Sequence, residues 1–192
     1  MPKPIPCPVI GVLSEMFPDH PYVEYLDGST EPWTVNVICA LVRALAPKLV
    51  LETGTFQART TRRLQAAMGD DATLISLESY TEYWEKAVAD CSDLDNVKIL
   101  NVEAVQYLLN YEGPAFNFVF LDDDHGAEHV GMELDLLLRK EEPLMASHSI
   151  ICVHDVNGIF GLKPVIEARG GFALNLPILH RSGGLGIIQC SP

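Results

Sequence analysis

Two short runs place acids and histidines where apolar segments stop. Phe118-Val119-Phe120-Leu121 leads into Asp122-Asp123-Asp124-His125, and Ile150-Ile151-Cys152-Val153 leads into His154-Asp155-Val156-Asn157. Three adjacent carboxylates repel one another, so a cation, a held proton or strong hydrogen bonding has to offset the cost. Oxygen ligands of this kind suit a hard divalent ion, Mg2+, or Mn2+ where a histidine joins. Asp122 and Asp155 are the expected core of such a centre, whose ion would bind a substrate oxygen, lower its pKa and make it a better nucleophile. His125 or His154 then serves as general base, since an ordinary imidazole titrates near neutrality. The competing reading has Asp123 and Asp124 capping the next helix and His154 satisfied inside the core.

Earlier in the chain, two more apolar runs end on acids. Leu49-Val50-Leu51-Glu52-Thr53-Gly54-Thr55-Phe56 stops at Glu52 and enters a turn of small residues, in which Gly54 is free to take a positive φ. With one glycine the turn is a poor pyrophosphate cradle, which disfavours a dinucleotide. Glu52 is expected to pair with a cationic, amino-acid-like ligand through its ammonium or a bridging water; a tight strand-to-helix connection closed by an acid is the alternative. Thr73 to Glu78 ends on Glu78, followed by Ser79 and Tyr80, where a carboxylate can accept from both hydroxyls of a ribose. Glu103 is within reach of an adenine amino group on one reading and a helix-start carboxylate on the other.

The elements that must position these residues follow from periodicity. Ser29-Thr30-Glu31-Pro32 reads as a helix start with a hydroxyl cap, and Val35, Ile38, Cys39, Val42 and Leu45 continue at helical spacing until Pro47. Strands are then expected at 48–52, 73–78, 97–102, 116–122 and 149–154, alternating with helices at 60–68, 82–91, 104–109 and 128–139. Nearly all-apolar strands separated by helices indicate a doubly wound α/β domain, a mostly parallel sheet with helices on both faces. Phe172 to Leu179 and Leu185 to Cys190 are joined by only five residues, His180 to Gly184, which makes an antiparallel hairpin. In such a sheet ligands bind beyond the carboxyl ends of the strands, where strand order reverses.

Length and composition narrow the classes. The 192 residues suit one domain, with 1–30 as a proline-rich arm and 31–192 as the core, and 48% apolar against 20% charged residues is the balance of a folding chain. A net charge of −13 repels phosphate backbones and anionic membrane surfaces, so neither nucleic acid nor membrane is an expected partner. Arg59, Arg62 and Arg63 form a local basic patch, or a solvated helix face. Five scattered cysteines, Cys7, Cys39, Cys91, Cys152 and Cys190, look like buried free thiols, and without a signal-like stretch the expected compartment is the cytoplasm. The arm and the hairpin offer exchangeable edges for a homodimer.

Taken together, Leu51-Glu52-Thr53-Gly54-Thr55-Phe56, the acid at Glu78, Phe120-Leu121-Asp122-Asp123-Asp124-His125, Cys152-Val153-His154-Asp155 and the terminal hairpin resemble the class I S-adenosylmethionine (SAM)-dependent methyltransferases. The resemblance is nearest to the small family with an Asp-Gly-Asp-His and His-Asp signature, and it covers Trp33 to Cys190. It implies a Rossmann-like, seven-stranded sheet whose last strand is antiparallel. It also implies Glu52, Gly54 and Thr55 near the methionine portion of SAM, Glu78 on the ribose, and the Asp122 region facing the transferred methyl. Phe56, Thr60, Ser79, Glu103 and Asp124 complete the expected cofactor contacts. Catechol-type, metal-dependent relatives carry an aspartate at the fourth strand end and an Asp-Asn pair at the fifth. Asp122 and Asp155 match these, while Val156 stands where the asparagine would be and Asn157, one residue later, is the expected third ligand. His125 occupies the place of their lysine base. Asp123 and Ala58 stand where glycines are usual. The activity implied is methylation of a small-molecule hydroxyl, assisted by Mg2+ or Mn2+. A nicotinamide-dependent oxidoreductase and a cofactor-binding protein of the same fold without catalysis are the alternatives.

Overall fold

A computed structural model describes residues 29–157, 160–174 and 183–191. The arm up to residue 28, with Cys7, lies outside the described residues, as do residues 158–159, 192 and the segment 175–182 that holds most of the expected hairpin turn.

The first described helix, α1 (Pro32–Leu45), starts as its sequence directs, with proline in the first turn. The expected hydroxyl cap is corrected. Glu31 is the N-cap residue and no side chain caps the helix, because the Thr30 hydroxyl is drawn away to Asp122 and Thr60. The chain then alternates through β1 (Leu49–Thr53), α2 (Arg59–Ala67), β2 (Thr73–Glu78), α3 (Thr81–Asp90), β3 (Val97–Asn101), α4 (Ala104–Leu109), β4 (Phe116–Leu121), α5 (Ala127–Leu137) and β5 (Met145–His154). After β5 come α6 (Leu162–Glu167), β6 (Phe172–Leu174) and β7 (Leu185–Cys190). Helix α6 was not expected: Pro164 stands inside its six residues and Gly161 precedes it, which read locally as breaks.

The seven strands form one sheet in the order β3-β2-β1-β4-β5-β7-β6. β1 to β5 pair in parallel, and β7 runs antiparallel to both β5 and β6, the antiparallel hairpin expected, with β6 described only over Phe172–Leu174 and the rest of the run to Leu179 outside the described residues. Strand order reverses between β1 and β4.

Side-chain alternation along the central strands feeds two cores. In β4, Phe118 and Phe120 join Val35, Ile38 and Val42 of α1 and Leu64 of α2 on one face. Val119 and Leu121 join Ala104 and Leu108 of α4, Val130, Leu134 and Leu137 of α5, and Leu162 and Ile166 of α6 on the other. A third, small cluster seats α3 through Ala87 and Cys91 against Ala58. Cys39, Cys91, Cys152 and Cys190 are all free thiols.

Candidate functional site

At the reversal between β1 and β4 the strand ends diverge over a cavity of about 500 Å³. Gly54 makes the approach of the two ends feasible. Its φ is +80°, and a Cβ there would lie 2.2 Å from the Asp122 carbonyl oxygen, so only glycine lets the turn pass this close to β4. Phe56 and Ala58 also take positive φ, 46° and 55°. Ala58 thus adopts the left-handed conformation that the more usual glycine would take without strain.

Glu52 and Glu78 end neighbouring strands but do different work. Glu52 pairs with Ser76, two residues before Glu78, and therefore sits roughly 6.6 Å deeper along the strand direction. It does not line the cavity. The hydroxyls of Thr61 and Ser76 both donate to it at 2.6 Å, and burial pushes its pKa up to about 8 despite those bonds. Its expected place against the ligand is thus corrected: Glu52 acts behind the wall, through Ser76, whose hydroxyl bonds Thr55 at 2.6 Å. Glu78 does line the cavity. Its two oxygens accept from the backbone N–H of Phe56 (2.8 Å) and of Tyr80 (2.9 Å), which fixes the carboxylate and leaves each oxygen a further lone pair.

Gly54, Thr55, Phe56, Thr60, Ser79, Glu103, Asp122, Asp124 and His125 stand in the wall as well. Glu103 is occupied as the helix-start carboxylate, accepting from Val105 N–H (2.9 Å) and Gln106 N–H (2.7 Å). Asp124 accepts from Gly126 N–H ahead of α5, while no side chain caps that helix, so the capping of the competing reading is corrected. Several wall residues escaped the sequence. Tyr83 packs edge-to-face on Phe56 with ring centroids 4.8 Å apart, and its spacing from Tyr80 on one face of α3 was the signal that could have found it. Thr30 and His129 had none.

His129 faces a second acid group from the start of α5. Its Nε2 is 3.1 Å from Asp123, 3.8 Å from Glu103 and 3.9 Å from Glu133. The hydrogen bond to Asp123 raises its pKa above the usual imidazole value, against the effect of burial. Glu133 is fully buried with neither oxygen in a hydrogen bond of ordinary geometry. Burial, then the Asp123 charge, pushes its pKa well above its ordinary value.

The two catalytic histidines of the sequence reading separate clearly. His125 lines the cavity, its Nε2 3.5 Å from Asp155 and its ring 5.2 Å from Phe160. His154 is corrected as a base: it is buried, and both ring nitrogens are taken, Nδ1 by Asp122 at 2.7 Å and Nε2 by Glu31 at 2.8 Å.

That arrangement also decides the expected metal centre. Ligand atoms of Glu31, His154 and Asp155 do converge within 4.8 Å. However, His154 has no nitrogen lone pair to offer while both nitrogens face carboxylates, and Asp122 spends one oxygen on His154 and the other on the Thr30 hydroxyl at 2.6 Å. Asn157, the expected third ligand, is not in the converging group. Its backbone N–H donates to Gly183, and a Cβ on Gly184 would strike its side-chain nitrogen at 2.1 Å, so it packs against the entry to β7. The residues of this expected centre do not fit a divalent ion, while a second set, Asp123, His129 and Glu133, also brings its ligand atoms within 4.8 Å of one another.

Among the described lining residues, Glu78, Glu103, Asp122, Asp123 and Asp124 outnumber Arg59, His125 and His129. An anionic pyrophosphate is opposed by such a wall and a cationic ligand favoured.

No protein-family model and no curated protein matches the chain. Solved structures do match its fold. An O-methyltransferase from Bacillus cereus in complex with SAH superposes with a TM-score of 0.72 at 15% identity, covering 94% of this chain and 97% of that one. A SAH-bound methyltransferase from Podospora anserina gives 0.71 at 14% identity, covering 100% and 99%. An O-methyltransferase of tomaymycin synthesis from Streptomyces achromogenes, in complex with SAM, gives 0.69 at 16% identity and 96% of both chains. The chain shares the Rossmann-like fold of these methyltransferases.

Proposed function

We propose that the chain is a SAM-dependent methyltransferase acting on a hydroxyl of a small molecule. The observation that carries this reading is the acid-lined cavity at the strand-order reversal, with Glu78 held by two backbone N–H groups at the end of β2. Bound there, SAM would supply an electrophilic methyl on a sulfonium. Glu78 offers the remaining lone pairs to the ribose hydroxyls, and the surrounding carboxylates favour the sulfonium and ammonium charges. That solved structures of this fold hold SAM or SAH supports the same reading.

For the acceptor, His125 is the chain's base. It lies in the cavity wall with its Nε2 3.5 Å from Asp155, a carboxylate placed to orient the ring so that its other nitrogen can take the hydroxyl proton. Alignment of donor and acceptor by the Phe56–Tyr83 wall supplies the rest, since displacement at a methyl depends chiefly on positioning. Metal assistance through Asp122 and Asp155 is left out of the reading, for the geometric reasons given above.

Calorimetry with SAM and with SAH tests it. Wild type binds both, and Glu78→Ala weakens SAM by about 10- to 100-fold, the loss of a charged hydrogen-bond acceptor. His125→Ala keeps SAM affinity and loses about 100-fold or more in methyl transfer to a panel of phenols and sugars. Absence of heat with SAM alongside binding of a nicotinamide cofactor would sink the reading. Binding of SAM without turnover by wild type would leave a non-catalytic binding protein.

A further inference from the structure

A second group of ligating side chains, built on residues other than Asp122 and Asp155, gathers around Glu133. Glu133 is completely buried, and neither of its oxygens has a hydrogen-bond partner. The Thr53 hydroxyl is close enough to act on it without reaching bonding geometry. Asp123 Oδ1 is likewise buried and unpartnered. Buried polar atoms are nearly always satisfied, and each one left without a donor costs free energy. Three such carboxylate oxygens in one place call for a positive guest. His129 supplies a nitrogen beside them. It precedes Glu133 by one turn of α5, so the two side chains share a face, and its Nε2 lies 3.1 Å from Asp123 Oδ2 and 3.9 Å from Glu133 Oε2.

We propose that Asp123, His129 and Glu133 form a site for one divalent first-row ion, Zn2+ or Mn2+, which joins the end of β4 to the first turns of α5. The ligand atoms lie within 4.8 Å of one another. An ion about 2.1 Å from each ligand needs them about 3 to 3.5 Å apart, which the observed 3.1 and 3.9 Å bracket. His129 differs here from His154. The acids around it meet Nε2, so with its proton on Nδ1 that nitrogen presents a lone pair. Two carboxylates and one imidazole suit these ions better than Mg2+ or Ca2+, which prefer an all-oxygen shell. Glu103 Oε1, 3.8 Å from Nε2, is already held by the backbone at the start of α4, and it adds negative charge as an outer carboxylate. Asp123 and His129 line the cavity while Glu133 is closed off behind them. An ion therefore reaches the group from the cavity side, where a coordination position stays open to water. The proposal is independent of which ligand fills the cavity.

Two measurements on the full chain, stripped with EDTA and freed of chelator, test this without SAM. In electron paramagnetic resonance titrations with MnCl2, wild type binds one Mn2+ per chain and Glu133→Gln binds none. In thermal melts with micromolar ZnCl2 or MnCl2, wild type rises by about 5 °C or more, and MgCl2 at the same concentration gives a smaller rise. Glu133→Gln and His129→Ala each lose the response, and Asp155→Asn keeps it. Absence of bound Mn2+ together with no thermal response in wild type overturns the proposal whether or not any variant folds, and leaves a carboxyl proton as what satisfies Glu133. A response that survives in folded Glu133→Gln, or one lost in Asp155→Asn alone, places the ion elsewhere and overturns it too.

Discussion

At Glu52 the consequence of two residues' extra depth can be measured. In the unfolded chain its carboxyl titrates near the ordinary value of about 4.3, and in the folded chain at about 8. The folded state therefore binds the proton more tightly. The stability this provides is complete below the unfolded pKa and is lost as pH rises through 8. Glu52→Gln keeps an oxygen to accept from Thr61 and Ser76 and carries no charge. It is expected to flatten the fall in stability between pH 5 and pH 8, leaving the variant about 1 to 3 kcal/mol more stable than wild type at the upper end. Urea denaturation at the two pH values checks this, and parallel losses in both proteins would refute it. Gly54 makes the opposite demand. Gly54→Ala meets the Asp122 carbonyl and an adverse φ together, so the variant should lose about 3 kcal/mol or more, with the proposed SAM binding lost alongside it.

Helices and strands set the next level. Helix α1 closes on Ala46, an exposed residue with φ 47°, where glycine carries no Cβ penalty. Ala46→Gly should raise the melting temperature by the equivalent of about 0.5 to 1 kcal/mol. Phe118, fully buried between β4 and α1, should cost about 3 to 5 kcal/mol as Phe118→Ala, read from the denaturation midpoint. Which parts of this architecture were legible follows from their size. Strands β1, β2 and β4 announce themselves because burial on both faces demands mostly apolar runs, and the acids ending them stand out by contrast. Helix α6 is hidden by Gly161 before it and Pro164 within it, both of which read as helix breakers. Asn157 and Glu31 could not be assigned because partner choice at those positions depends on the meeting of α1, β5 and β7. Thr30 reads locally as a cap, and it is the tertiary pull of Asp122 and Thr60 that recruits it elsewhere.

Over the whole molecule, charge and connectivity carry the argument. A net charge of −13 is not offset by the α2 arginines: Arg62 is spent on Asp93, Arg63 on Asn36, and Arg59 lines the cavity. Electrophoretic mobility of tRNA or duplex DNA should therefore be unchanged by micromolar protein at 150 mM salt; a shifted band would contradict this. No helix among the described residues is long and apolar enough to cross a membrane. The contact between Glu31 and His154 spans 123 positions of chain, bracketing β1 to β5 and every crossover between them. Closing so wide a loop is costly until the sheet inside it exists. During refolding, the far-ultraviolet signal of helices and strands should thus recover before the imidazole finds its first acid, and ligand competence should arrive in the last kinetic phase. On the ribosome, the same span means that a nascent chain cannot complete the centre until its fifth strand has emerged.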